Sequence, residues 1–256
     1  MVGAGGGFLL TPVLLLLFPG LQPETVTAIS MTTVLFNSSS GSIAYSRMKR
    51  IDYKTGLLFV IATLPGTIIG TWLTARTPRS LFNLIFGAFL LVFAVIIVLK
   101  SRLGDHSASY DHPGRFRAKR ILTDRDGLET AFSFNLLAGL SISFVVGFLS
   151  GFLGLGGGIV HVPALVFLGF PAHFATATSH FVLVFSSLTS FLIHLANNAL
   201  SDVYRLAFSI AAGAVVGAQF GAALSKRVKG SAIMICLAVA LVLAGVRIIL
   251  SGLPVF

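Results

Sequence analysis

Long apolar runs separated by short polar connections make up most of the chain. Their spacing predicts helices over about 7–18, 25–46, 56–75 and 81–99, then over about 132–153, 157–169, 173–196, 204–224 and 231–250. Several approach the roughly 20 residues that a helix needs to cross a hydrocarbon core of about 30 Å. Residues 157–169 fall short, since a helix there rises only about 20 Å at 1.5 Å per residue. One stretch, 100–130, breaks the rhythm with a dense run of charge. It divides the chain into a first transmembrane unit, 1–99, a polar connection, 100–130, and a second transmembrane unit, 131–256.

Composition fixes the surroundings of these runs. Apolar residues are 55% and charged residues 10% of the 256 positions, whereas a soluble domain carries charge at about a quarter. Mean hydropathy is +0.96. The fold class is an all-α polytopic membrane protein with about nine membrane segments. The net charge of +10 does not signal nucleic acid, because the basic residues crowd into connections: Arg47, Lys49, Arg50 and Lys54, then Arg115, Arg117, Lys119 and Arg120, then Lys226, Arg227 and Lys229. That pattern orients Lys- and Arg-bearing connections toward the cytoplasm, and it makes the chain a multi-pass protein of the cytoplasmic membrane. The lone cysteine, Cys236, excludes a disulfide framework.

The two units are copies. Gly3, Gly5, Gly6, Gly7 and Pro12 fall on Gly154, Gly156, Gly157, Gly158 and Pro163 at one constant offset. "TAISMTTVLFNSSS" (27–40) then falls on "TATSHFVLVFSSLT" (176–189), and "GTIIG" (66–70) on "GAVVG" (213–217). The second unit has an additional run, 132–153, ahead of its glycine cluster, so the repeat predicts one more helix ahead of Gly3 and a sequence that starts late in its first unit. Inverting the second copy, as in many secondary transporters, places 47–54, 100–130 and 225–230 together on the cytoplasmic side. Arg247 counts against that arrangement.

Short or broken helices with glycine-rich starts leave backbone N–H groups that lipid cannot satisfy. Such groups at a helix start favour an anion, and glycine lets a ligand approach them. Gly5, Gly6 and Gly7, and Gly156, Gly157 and Gly158, are therefore candidate backbone cradles; close helix packing is the alternative use of the same residues. Neither cluster is a nucleotide loop, as no Gly-Lys-Ser/Thr follows. The next helix of each unit adds a hydroxyl face: Thr27, Ser30, Asn37 and Ser38 in the first, Thr176, Ser179, Ser186 and Ser187 in the second. Hydroxyls of this kind also bond back to a carbonyl of the preceding turn.

No Asp or Glu lies deep in any apolar run, which disfavours a cation carrier. His161, His180 and His194 are the histidines set within, rather than at the edge of, the runs of the second unit. His180 and His194, near the hydroxyl face, are the candidates for exchanging a proton with the transported species. His106 and His112 with Asp105 and Asp111 sit in the polar connection and read as solvated rather than metal-binding, so no metal or cofactor is expected.

At the repeated "GAGGGFLLTP" and "GLGGGIVHVP", each followed by a Thr/Ser-rich helix, the sequence resembles the sulfite exporter TauE/SafE family of membrane permeases. The resemblance covers nearly the whole chain outside 100–130. It implies movement of sulfite, organosulfonates or related sulfur-containing anions across a bacterial or archaeal cytoplasmic membrane. The expectation is a secondary transporter exporting a small anion, with the lipid bilayer as its other partner, no nucleic acid, and a homo-oligomer compatible with the pattern. An anion channel would use the same groups without alternating access. An intramembrane hydrolase would need Ser150 as nucleophile within reach of His194 as base.

Overall fold

The computed structural model describes residues 7–103, 117–125, 127, 129–225 and 230–252. Among these the helices are α1 (Gly7–Leu17), α2 (Pro23–Arg47), α3 (Tyr53–Thr74), α4 (Arg79–Leu103), α5 (Leu136–Leu153), α6 (Gly158–Phe167), α7 (Ala172–Ala196), α8 (Tyr204–Ser225) and α9 (Gly230–Gly252). Each matches a predicted run to within a few residues. Tyr53–Thr74, Arg79–Ile97, Leu136–Leu153 and Ala172–Ala196 are long and apolar enough to cross a membrane. Helix α2 has the length, with 25 residues, but its hydroxyls lower its hydropathy. It needs no apolar exterior where protein surrounds it, and Val26 through Val34 are all buried.

Strands β1 (Arg117–Thr123) and β2 (Glu129–Asn135) correct the all-α expectation. They pair antiparallel, with Arg120 opposite Phe132. In β2, Phe132 and Phe134 alternate with Ser133, the period-two pattern of a strand. Reading Phe132 as the start of an apolar run hid this, and α5 begins only at Leu136, capped by the Asn135 side chain, which accepts from Ala138 N at 3.2 Å. Phe134 packs on Phe170 with ring centroids 4.5 Å apart. On its other strand, Arg120 reaches the α2–α3 turn, 3.3 Å from Asp52 Oδ2 and 3.0 Å from Thr55 Oγ1. Asp52 in turn caps α3, accepting from Thr55 N at 3.1 Å. A second ion pair, Arg50–Asp124 at 3.1 Å, fastens the same turn to the end of β1.

Equivalent helices of the two units pack on each other antiparallel. Along α2 and α7, Thr27 meets His194 while Gly41 meets His180. Along α4 and α9, Gly87 meets Gly245 while Ser80 meets Gly252. Helices α3 and α5 run parallel in close backbone contact: a Cβ at Gly66 would overlap the carbonyl oxygen of Phe144, and one at Gly70 that of Phe148. Gly147 and Gly151 of α5 answer with equally close approaches to Thr63 and Thr67. The matching glycines of α8, Gly213 and Gly217, have nothing within 4 Å of where a Cβ would stand.

Candidate functional site

Helix α5 ends at Gly154, and the chain reaches α6 through Leu155, Gly156 and Gly157. Gly154, Gly156 and Gly157 have φ of +67°, +72° and +68°, the left-handed region that costs a residue with a Cβ about 1–2 kcal/mol. Space is a second constraint. A Cβ would come within 3.0 Å of Thr27 Cα at Gly154, 2.6 Å of Val34 Cγ1 at Gly156, and 2.8 Å of Val146 Cγ1 at Gly157. Every residue from Gly151 to Ile159 is buried. The glycine turn of the second unit thus nests against the hydroxyl helix of the first, and close packing is part of its purpose. The Gly158 N–H is engaged within the turn, donating to Gly156 O at 2.9 Å. Gly7 opens α1, while Gly5 and Gly6 lie outside the described residues, as do His106, His112, Asp105 and Asp111.

Most of the hydroxyl face bonds back to its own helix. Thr27 donates to Glu24 O at 2.9 Å, Ser38 to Leu35 O at 3.3 Å, Thr176 to Ala172 O at 2.9 Å, Ser186 to Leu183 O at 3.3 Å and Ser187 to Leu183 O at 2.6 Å. Asn37 is half-buried one turn before Gly41. Ser30 differs: its Oγ accepts from Thr11 Oγ1 at 2.9 Å, and Thr11 is also 3.1 Å from Gly154 O. Thr11, inside the first glycine motif, joins α1, α2 and the turn of the other unit, a role that spacing along one helix does not reveal. Ser150 and Ser179 are 1% and 0% exposed, and neither Oγ has a hydrogen-bond partner among the described residues. Leaving a buried hydroxyl unpaired costs about 1–3 kcal/mol. Ser150 lies beside the turn, its Cβ 3.3 Å from where a Gly157 Cβ would stand.

These residues form two groups rather than one pocket. The turn at Gly154–Gly157, Thr27, Ser30, Ser150 and His194 lie toward the start of α2 and the end of α7. Thr176, Ser179 and His180 lie toward the other end, beside Gly41. At 1.5 Å per residue, His180 and His194 are about 20 Å apart along α7. His180 Nδ1 lies 3.0 Å from Thr176 O, and its ring packs on Tyr45 with centroids 5.3 Å apart. His161 is a core group, 3.1 Å from Ser143 Oγ and edge-on to Phe59 with ring centroids 5.7 Å apart. His194 is fully buried, with Nε2 3.4 Å from Thr27 Oγ1 and Nδ1 3.8 Å from Glu24 Oε1. A hydrolytic dyad is not formed, because Ser150 has no partner and His194 faces Thr27 and Glu24. Glu24 escapes a sequence reading because a carboxylate in a first helical turn is ordinary. Only the antiparallel contact of α2 and α7 brings it to a buried imidazole.

The family model described as sulfite exporter TauE/SafE matches residues 1–248. The chain is 31% identical over 260 residues to the "probable membrane transporter protein YunE" of Bacillus subtilis, covering 99% of this chain and 93% of that one. It is 26% identical over 213 residues to a "probable membrane transporter protein" of Methanocaldococcus jannaschii, covering 81% of this chain and 71% of the other. A Haemophilus influenzae protein of the same description is 24% identical over 222 residues, 86% of this chain and 77% of its own. No solved structure matches.

Proposed function

The chain belongs to the sulfite exporter TauE/SafE family of membrane transporters, and on that premise we propose that it exports a small sulfur-containing anion, sulfite or an organosulfonate, across the cytoplasmic membrane. The observation that carries the anion is the left-handed glycine turn opening α6 within the protein core. A helix start of this kind presents the positive end of its dipole. Ser150 beside the turn and Ser179 on α7 are unpartnered buried hydroxyls, ready to bond an oxyanion. The antiparallel packing of α2 on α7 and of α4 on α9 supports an inverted repeat of nine membrane segments. Passage then follows from one unit rocking against the other, which exposes the two residue groups in turn.

The test is sulfite flux in proteoliposomes. Replacing Gly157 and Ser179 with leucine abolishes saturable flux if the assignment is right; unchanged flux in a folded double variant removes the site. Ohmic conductance in place of saturable flux would make the protein a channel.

A further inference from the structure

Where the end of α7 meets the start of α2, a carboxylate and an imidazole face each other with a gap between them. Glu24 stands in the first turn of α2 with its side chain 22% exposed, whereas His194 is 0% exposed. Their closest approach, Oε1 to Nδ1 at 3.8 Å, is beyond hydrogen-bond reach. Among the described residues His194 Nδ1 has no hydrogen-bond partner. Glu24 is meanwhile held by Asn197, whose Nδ2 donates to Oε1 at 2.7 Å. On its other side the His194 ring presents Nε2 to Thr27 Oγ1 at 3.4 Å, and the Cα, Cβ and Cγ2 of Thr27 lie where they would crowd a side chain at Gly154 of the glycine turn. A continuous row of groups runs from the exposed edge to the buried turn: Glu24, His194, Thr27, Gly154.

We propose that Glu24 loads His194 with a proton from the membrane face opposite the β-hairpin, coupling proton movement to anion movement at the glycine turn. The step is one proton transfer. The Glu24 carboxyl gives its proton to His194 Nδ1, leaving a carboxylate and an imidazolium. The imidazolium gives its Nε2 proton to the oxyanion held at the turn, returning His194 to the neutral state, and the carboxylate regains one from solvent. A small side-chain rotation that exchanges the Asn197 hydrogen bond for one to His194 closes the gap, and Glu24 at 22% exposure has room for it.

Arg76, just after α3, is the remaining charge acting on Glu24. Among the described residues, α1 and α5 bring no titratable group, α3 brings Tyr53 and Lys54 at its far end, α4 brings Arg79, which donates to Leu21 O ahead of α2, α6 brings His161, which is engaged with Ser143, and the start of α8 with the turn before it brings Asp202, Tyr204 and Arg205. The repeat supplies a control within the molecule. At the equivalent positions the second unit has His173 for Glu24, and the first has Tyr45 for His194, so the repeat does not duplicate the carboxylate–imidazole pair. One-sidedness of this kind suits a directional carrier.

This inference rests on the anion-transport reading, and proteoliposomes separate the two. Glu24→Gln keeps an acceptor for Asn197 but cannot carry a proton. The expected result is that E24Q retains sulfite counterflow, which needs no net proton, yet loses pH-gradient-driven uptake at least tenfold and flattens the pH profile. Glu24→Asp restores both in part. Asn197→Ala, which removes only the hydrogen bond, keeps gradient-driven uptake. Wild-type gradient response in E24Q overturns the proton role, as does equal loss in N197A, which would make Glu24 a fastening residue. Absence of sulfite counterflow from wild-type protein overturns the anion reading instead.

Discussion

Helices α3 and α8 carry the same motif, "GTIIG" and "GAVVG", at equivalent places in the repeat, yet they live differently. In α3 both glycines are buried against the backbone of α5, where a side chain would collide with main-chain atoms that cannot rotate away. In α8 both are exposed, with open space above them. The motif is one; the requirement for it is not. A glycine in a membrane helix is obligatory only where a second backbone comes close enough to use the missing Cβ.

Substitutions put numbers on this contrast. Gly66→Leu has the largest expected effect: α5 must separate from α3, at more than about 3 kcal/mol, the upper range for overpacking. Loss of a monodisperse peak in detergent chromatography is the readout. Gly157→Ala comes next, because a left-handed φ costs an alanine about 1–2 kcal/mol before its contact with Val146 is relieved. Its melting temperature in detergent should drop while the chain still folds. Ser179→Ala removes an unpaired buried hydroxyl, so stability holds or rises by up to about 1 kcal/mol, and sulfite flux falls. A flux equal to wild type would strike Ser179 from the site. Gly213→Leu should change melting within about 0.5 kcal/mol. A collapse like that of Gly66→Leu would mean that α8 also has a close neighbour in the membrane.

Helix positions were legible in the sequence because the apolar runs are long and the connections are sharply polar. Gly154, Gly156 and Gly157 were legible as a break, and residue type permits their positive φ. The β-hairpin was not, since Phe132 and Phe134 read as the head of a membrane run until Ser133 is seen between them in a strand. Periodicity along α2 also grouped Thr27 with Ser38, yet most of that face satisfies itself by bonding to its own helix. What distinguishes Ser150 and Ser179 is the absence of such a bond, which depends on local side-chain geometry. Glu24 and Thr11 gain their roles from partners more than a hundred residues away in the chain, Asn197 and Gly154, and no local pattern encodes that.

The fastening of the hairpin has a mechanical corollary. Arg120 and Asp124 grip the α2–α3 turn while Phe132 and Phe134 sit in the aromatic cluster beside α7. The segment joining the two halves is therefore anchored to both of them at one rim. Rigid bodies hinged at one rim open widest at the opposite one, so swinging displaces Glu24 and His194 farther than Asp52 and Thr178.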